Sequence, residues 1–192
     1  GALSSLGFLC GPAVGGIFSP LGVTAPFLVA GTLAWITLPL AWIWLKEPEK
    51  PPEASPEHSV FRSMILALKP GYRELYTVVF AFSMAASSLF GMLGYLMIDR
   101  FEASSILTSA AFSIEAGTSV VVQFFVMDLL YRRFTNLRIA QAGFILSAAG
   151  YLLIALSGTV WMVYLGCALL GVSMSMVGPT IVSMLSLRDE LG

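Results

Sequence analysis

The sequence predicts an all-α, polytopic membrane protein with six transmembrane helices. Three observations lead there. Only 11% of the 192 residues are charged while 57% are hydrophobic; a soluble domain carries about 25% charged residues. The charges are segregated: residues 1–45, 75–98 and 139–187 carry none, and 103–127 carry one, Glu115. A span takes roughly 20 apolar residues, so the first and last runs are too long for one crossing and each folds back. The turns are SPLG at 19–22 and SGTV at 157–160.

The six spans are 1–18, 24–45, 75–98, 104–127, 139–156 and 161–187. They are continuously apolar rather than alternating, which selects helices over a β-barrel. The chain starts without Met, in mid-run and without a signal peptide, so it is expected to be a piece of a longer protein, cut at both ends.

The first span carries Gly7, Gly11 and Gly15 at i, i+4, i+8. They form a groove without side chains, of the kind that lets helices touch closely in lipid. Pro12 cannot donate to the Phe8 carbonyl and should bend this helix. Trp35 in the second span reads as a packing residue, whereas Trp42, Trp44 and Trp161 sit near span ends, where aromatics anchor at the headgroups. Cys10 and Cys167 lie inside spans as small packing residues, not as a disulfide.

The one long connection, 46–72, has two parts. KEPEKPPEASPEHS is polar and Pro-rich, a flexible linker in which His58 is a solvated loop residue. VFRSMILALK places Val60, Phe61, Met64, Ile65 and Leu68 on one helical face flanked by Arg62 and Lys69, as a short amphipathic helix at a membrane surface would.

The third span holds Ser83, Ser87, Gly91 and Tyr95 on one stripe, which reads equally as cavity lining or as helix packing. In the fourth span Glu115 sits near the middle. A charge there costs about 2.5–3.5 kcal/mol on insertion scales. Such a carboxyl either exchanges protons and attracts cationic ligands, or is a protonated group hydrogen-bonded within the bundle. Gln123, two turns on, is a further candidate for substrate contact. In the sixth span Met174, Met176 and Met184 accompany Gly171, Ser175 and Gly178, which suits an adaptable pocket or ordinary core. Pro179 frees the carbonyl of Ser175 and could hinge the helix.

Nine of the ten basic residues fall on one side of the membrane, with Arg100 the exception, and the basic side is cytoplasmic. The 46–72 connection is then cytoplasmic. No basic patch suggests nucleic acid. No metal-ligand cluster, nucleophile–base pair or phosphate loop is present, so no enzyme chemistry, metal or cofactor is expected.

The segment Gly7 to Gly16, GFLCGPAVGG, resembles the fifth-helix antiporter signature of major facilitator superfamily drug:proton antiporters, in Gly7, Gly11, Pro12, Gly15 and Gly16. The next stretch, with its FSP…APF turn and KEPEK exit, is similar to helices five and six of the tetracycline-efflux type. DLLYRRF resembles the family's Asp-Arg-x-Gly-Arg-Arg turn: Asp128, Arg132 and Arg133 match, Tyr131 stands at the Gly position, and Phe124 replaces another expected Gly. GVSMSMVGPTIVSMLS is similar to the tenth helix.

The resemblance implies helices five to ten of twelve. Residues 1–45 are then the last two helices of the first half, 46–73 the central cytoplasmic loop, and 74–192 the first four helices of the second half. It implies an alternating-access exporter of small amphiphilic compounds driven by protons, in a plasma (bacterial inner) membrane. Its partners are then a small-molecule substrate, protons, the lipid bilayer and the remaining helices of the full-length chain. Sugar or metabolite export on the same fold, and a non-transporting sensor or scaffold, are the alternatives. Residues 83, 87, 91 and 95, with Met174 and Ser175, would line the cavity, and Asp128, Arg132 and Arg133 would gate the cytoplasmic side. Ser109, Ser113 and Gly117 are expected to meet the Gly7/Gly11/Gly15 groove. That leaves the opposite face, Ala111, Glu115, Thr118 and Ser119, toward a cavity.

Overall fold

A backbone in lipid must satisfy its own N–H and C=O groups, and a helix does so within one segment. The computed structural model follows that rule in each apolar run it describes. It covers residues 10–12, 14–22, 24–44 and 73–189, without the side chains of 44 and 185–189. Gly7, His58 and the amphipathic segment at 60–69 lie outside the described residues.

The helices are α1 (Cys10–Leu21), α2 (Ala25–Trp44), α3 (Arg73–Phe101), α4 (Ser105–Phe125), α5 (Met127–Arg133), α6 (Asn136–Ala155) and α7 (Val160–Asp189). Five of them, α2, α3, α4, α6 and α7, are long and apolar enough to cross a membrane. Both expected turns are present. SPL forms a 3-10 turn closing α1, and Gly22 follows at φ 120°, ψ 158°, a backbone conformation open to glycine and strained for other residues. At the second turn the Ser157 hydroxyl donates to the Ile154 carbonyl at 2.7 Å, and α7 starts at Val160.

The DLLYRRF segment differs from its expected form. It is the helix α5 rather than a turn. Val126 ends α4 and begins α5 at φ −107°, ψ −36°, so the chain bends without leaving helical space. Asp128 and Arg132, one turn apart, support it with an ion pair at 2.9 Å.

The chain divides into two compact units. One comprises the described residues of Gly1–Gly22 and Phe90–Gly192, the other those of Val23–Leu89. In the first, α7 is the central helix, with Val163, Cys167, Val177 and Thr180 wholly buried. It packs on α6 and α4. The approach to α6 is close because glycines meet: a Cβ on Gly166 would lie 3.0 Å from the Gly150 carbonyl oxygen. Lipid is as apolar as the helices, so such close packing substitutes for a hydrophobic driving force. Phe90 stacks on Phe112 with ring centroids 5.9 Å apart, joining α3 to α4.

Hydrogen bonds tie this unit at both ends. At one end Arg100 Nη1 donates to the Ala155 carbonyl at 3.2 Å, and the Tyr164 hydroxyl donates to the Leu107 carbonyl at 3.0 Å. At the other, the Tyr131 and Thr180 hydroxyls share a hydrogen bond of 3.1 Å, and Asn136 Nδ2 donates to Ser183 Oγ at 3.2 Å. Beneath this second end lies an apolar cluster of Val122, Met127, Ile139 and Met176. In the second unit, α2 presents its apolar side chains outward, Trp35 and Trp42 among them. Lipid or further helices cover surfaces of that kind.

Candidate functional site

Glu115 is 7% exposed, in the middle of α4. Its face, with the wholly buried Ala111, turns to α7: a Cβ on Gly171 would overlap the Glu115 carbonyl oxygen and come within 3.1 Å of the Ser119 nitrogen. Glu115 therefore lies in a helix interface rather than on an open cavity wall, contrary to the expected arrangement. The small residue opposite it decides this, because glycine lets the α7 backbone come up to the carboxyl-bearing turn. Among the described residues no hydrogen bond or ion pair reaches the carboxyl. Tyr151 on α6 and Cys167 on α7 lie near it. Among the described residues, the Tyr151 hydroxyl is buried without a partner, as is that of Ser173 on α7. Neither hydroxyl was singled out from the sequence. A polar side chain inside a charge-free run was the available signal, and serines and tyrosines in other spans diluted it. Gln123 is half-buried on the same helix.

The α3 stripe is uncovered. Ser83 and Ser87 are exposed, Gly91 has open space where a side chain would stand, and Tyr95 is 63% exposed. The opposite face of α3, Leu89, Leu93 and Met97, is buried. On α7, Met174 is half-buried. Ser175 is buried, and its hydroxyl donates to the Val172 carbonyl of its own helix at 2.8 Å, so it offers no free donor to a ligand.

On α1 the partner helix is as expected and the contacting face is not. A Cβ on Gly16 would lie 2.8 Å from Ser109 Cβ on α4, while Gly11 and Gly15 have nothing within 4 Å among the described residues. The contact is thus displaced by one residue, about 100° around the helix. Pro12, one turn before Gly16, is half-buried. On α5, Asp128 and Arg132 pair locally with both side chains 75% exposed, and Arg133 is exposed.

Residues 1–189 match the family profile described as Major Facilitator Superfamily. The chain belongs to the major facilitator superfamily. The resemblance drawn from the Gly–Pro segment therefore holds, and the chain is an integral membrane protein of a transporter family rather than an enzyme. Three known proteins are similar to it. The class G tetracycline resistance protein of Vibrio anguillarum is 27% identical over 169 residues, covering 85% of this chain and 43% of that protein. The class D tetracycline resistance protein of Salmonella ordonez is 30% identical over 173 residues, 85% and 42%. Multidrug resistance protein 1 of Bacillus subtilis (strain 168) is 28% identical over 160 residues, 77% and 38%. The chain spans about two fifths of the length of these relatives.

Proposed function

We propose that this chain is the middle of a secondary transporter that exports small amphiphilic compounds or drugs in exchange for protons, by alternating access. The observation that carries the proton coupling is Glu115, a glutamate at mid-helix that is only 7% exposed and has no ion-pair partner among the described residues. A charge is costly at such a place unless it is paired or reached by water. Binding and release of a proton at Glu115 are then tied to the packing of α4 against α7, and a change in that packing exposes or covers the group. The tetracycline and multidrug relatives support amphiphilic compounds as the substrate class. The bonds that tie α3 through α7 together at both ends suit a second half that rocks as a body against the first.

In this reading residues 1–45 close the first half, 46–73 form the cytoplasmic connection, and 74–192 open the second half. The distribution of basic residues supports a cytoplasmic side for α5 and the 46–73 connection.

The test is made with the complete transporter in inside-out vesicles, under an imposed inside-acid gradient. Tetracycline, a cationic dye and a sugar are added in turn. Proton release on adding the drug or the dye supports export by antiport. Release by the sugar alone moves the assignment to metabolite export. No release by any of them refutes proton-coupled transport of all three classes.

A further inference from the structure

We propose that Tyr131 and Asn136 latch the segment of α7 beyond Pro179, so that α5 and the start of α6 set the position of that helix end. The inference rests on reading the chain as part of an alternating-access carrier.

Pro179 stands inside α7 and supplies no N–H. The Ser175 carbonyl loses its backbone donor, and the helix is weakest at that turn. Directly beyond the proline, Thr180 is wholly buried and shares a 3.1 Å hydrogen bond with the Tyr131 hydroxyl of α5. One turn further on, Ser183 Oγ accepts from Asn136 Nδ2 of α6 at 3.2 Å. Thr180 and Ser183 are three residues apart and lie on one face of α7. The two bonds therefore hold one stripe of one helix, and both lie on the far side of the break. Before the proline, α7 is tied to α4 near its start by the Tyr164 hydroxyl, which donates to the Leu107 carbonyl, and between that bond and the break it rests on packing: Gly171 sits against α4, and Gly166 against Gly150 of α6.

A helix weakened at one turn and bonded beyond it has two arrangements available, latched and released. A glycine at position 131 would have no hydroxyl to offer Thr180. DLLYRRF departs from the family pattern at Leu129 and at Tyr131, and the second departure brings the bond with it. Asp128 and Arg132 pair with each other in solvent, so the tie from α5 to α7 runs through the tyrosine rather than through that pair. Tyr131 is a positioning residue: it acts on α7 through Thr180 and needs no contact with substrate.

The experiment reads the distance between spin labels on the complete protein, reconstituted in lipid without substrate. Leu129→Cys on α5 and Val182→Cys on α7 carry the labels, since both positions are exposed. Cys10→Ser removes the exposed native thiol, and wholly buried Cys167 stays. Tyr131→Phe keeps the ring and removes only the hydroxyl. It is expected to raise the population of a second distance roughly fivefold, as loss of one hydrogen bond allows. Thr180→Val should do the same, and the double variant should change no more than either alone. Thr180→Ser, which retains a hydroxyl, should keep the original distribution. Single variants that superimpose on the unmodified protein would overturn the latch. So would effects of Tyr131→Phe and Thr180→Val that add, or a Thr180→Ser effect as large as that of Thr180→Val. Because the readout needs no substrate, a protein that transports nothing sinks the export reading while the distances still decide the latch.

Discussion

Gly171 of α7 lies so close to Glu115 of α4 that a β-carbon on the glycine would overlap the glutamate carbonyl oxygen. The residue with the highest cost in the membrane is thereby held at the tightest approach to α7 among the described glycines. Neither α4 nor α7 can add a methyl group there without moving apart. Gly171→Ala is expected to destabilise the protein by about 1–3 kcal/mol, the usual cost of overpacking a tight contact. Thermal unfolding of the purified protein in detergent measures it, and an unchanged midpoint would show that the approach is looser than described.

Glu115→Gln keeps the size of the side chain and removes its ability to exchange a proton. Export driven by a pH gradient is expected to fall at least tenfold, while substrate binding at equilibrium persists. Initial rates in vesicles, with and without the gradient, give the comparison. A variant whose rate still follows the gradient removes Glu115 from the coupling role.

The α1 glycines separate by face. Gly16→Leu should lose more stability than Gly11→Leu, by roughly 1–3 kcal/mol, because Gly16 meets Ser109 and Gly11 meets open space. The two midpoints, measured side by side, test which glycine forms the contact. Equal loss at both positions would return the interface to the Gly11 face.

Asp128 and Arg132 form an exposed pair, and pairs of that kind contribute about 0–1 kcal/mol. Asp128→Asn is therefore expected to leave the unfolding midpoint within a few degrees of the original. If transport nevertheless falls tenfold or more, the aspartate acts in gating rather than in stability. If both stay unchanged, it is a solvated charge.

Much of the fold was legible because charge and proline mark edges in a membrane chain. The charge-free runs located five of the six spans within a few residues, residues 1–9 of the first lying outside the described ones, and SPLG and SGTV located the turns, Gly22 being the residue whose positive φ the first turn requires. The helix at Met127–Arg133 was not legible. Its two arginines and one aspartate signalled a connection, and only their i, i+4 pairing shows that the connection is helical.

The candidate site was legible in one residue and not in its surroundings. Glu115 stood out because a lone carboxyl in an apolar run has no bland composition to hide in. Its neighbours did not, since Tyr151, Cys167 and Gly171 come from two other helices and nothing in their local spacing refers to α4.

Sequence by itself determined which segments enter the membrane, where they turn and which family they belong to. The spans and turns follow from transfer of side chains and backbone out of water, a cost set residue by residue, and the family from the resemblance of the Gly–Pro segment. Tertiary structure alone decided which face of each helix meets another: Gly16 rather than Gly11 and Gly15, Glu115 against Gly171, and Tyr131 bonded to Thr180. The physical reason is that lipid and protein interior are equally apolar. A membrane helix can be hydrophobic all round, so its sequence carries no polar side to orient it. Orientation then comes from steric fit at small residues and from a few hydrogen bonds, and both exist only once two helices are side by side.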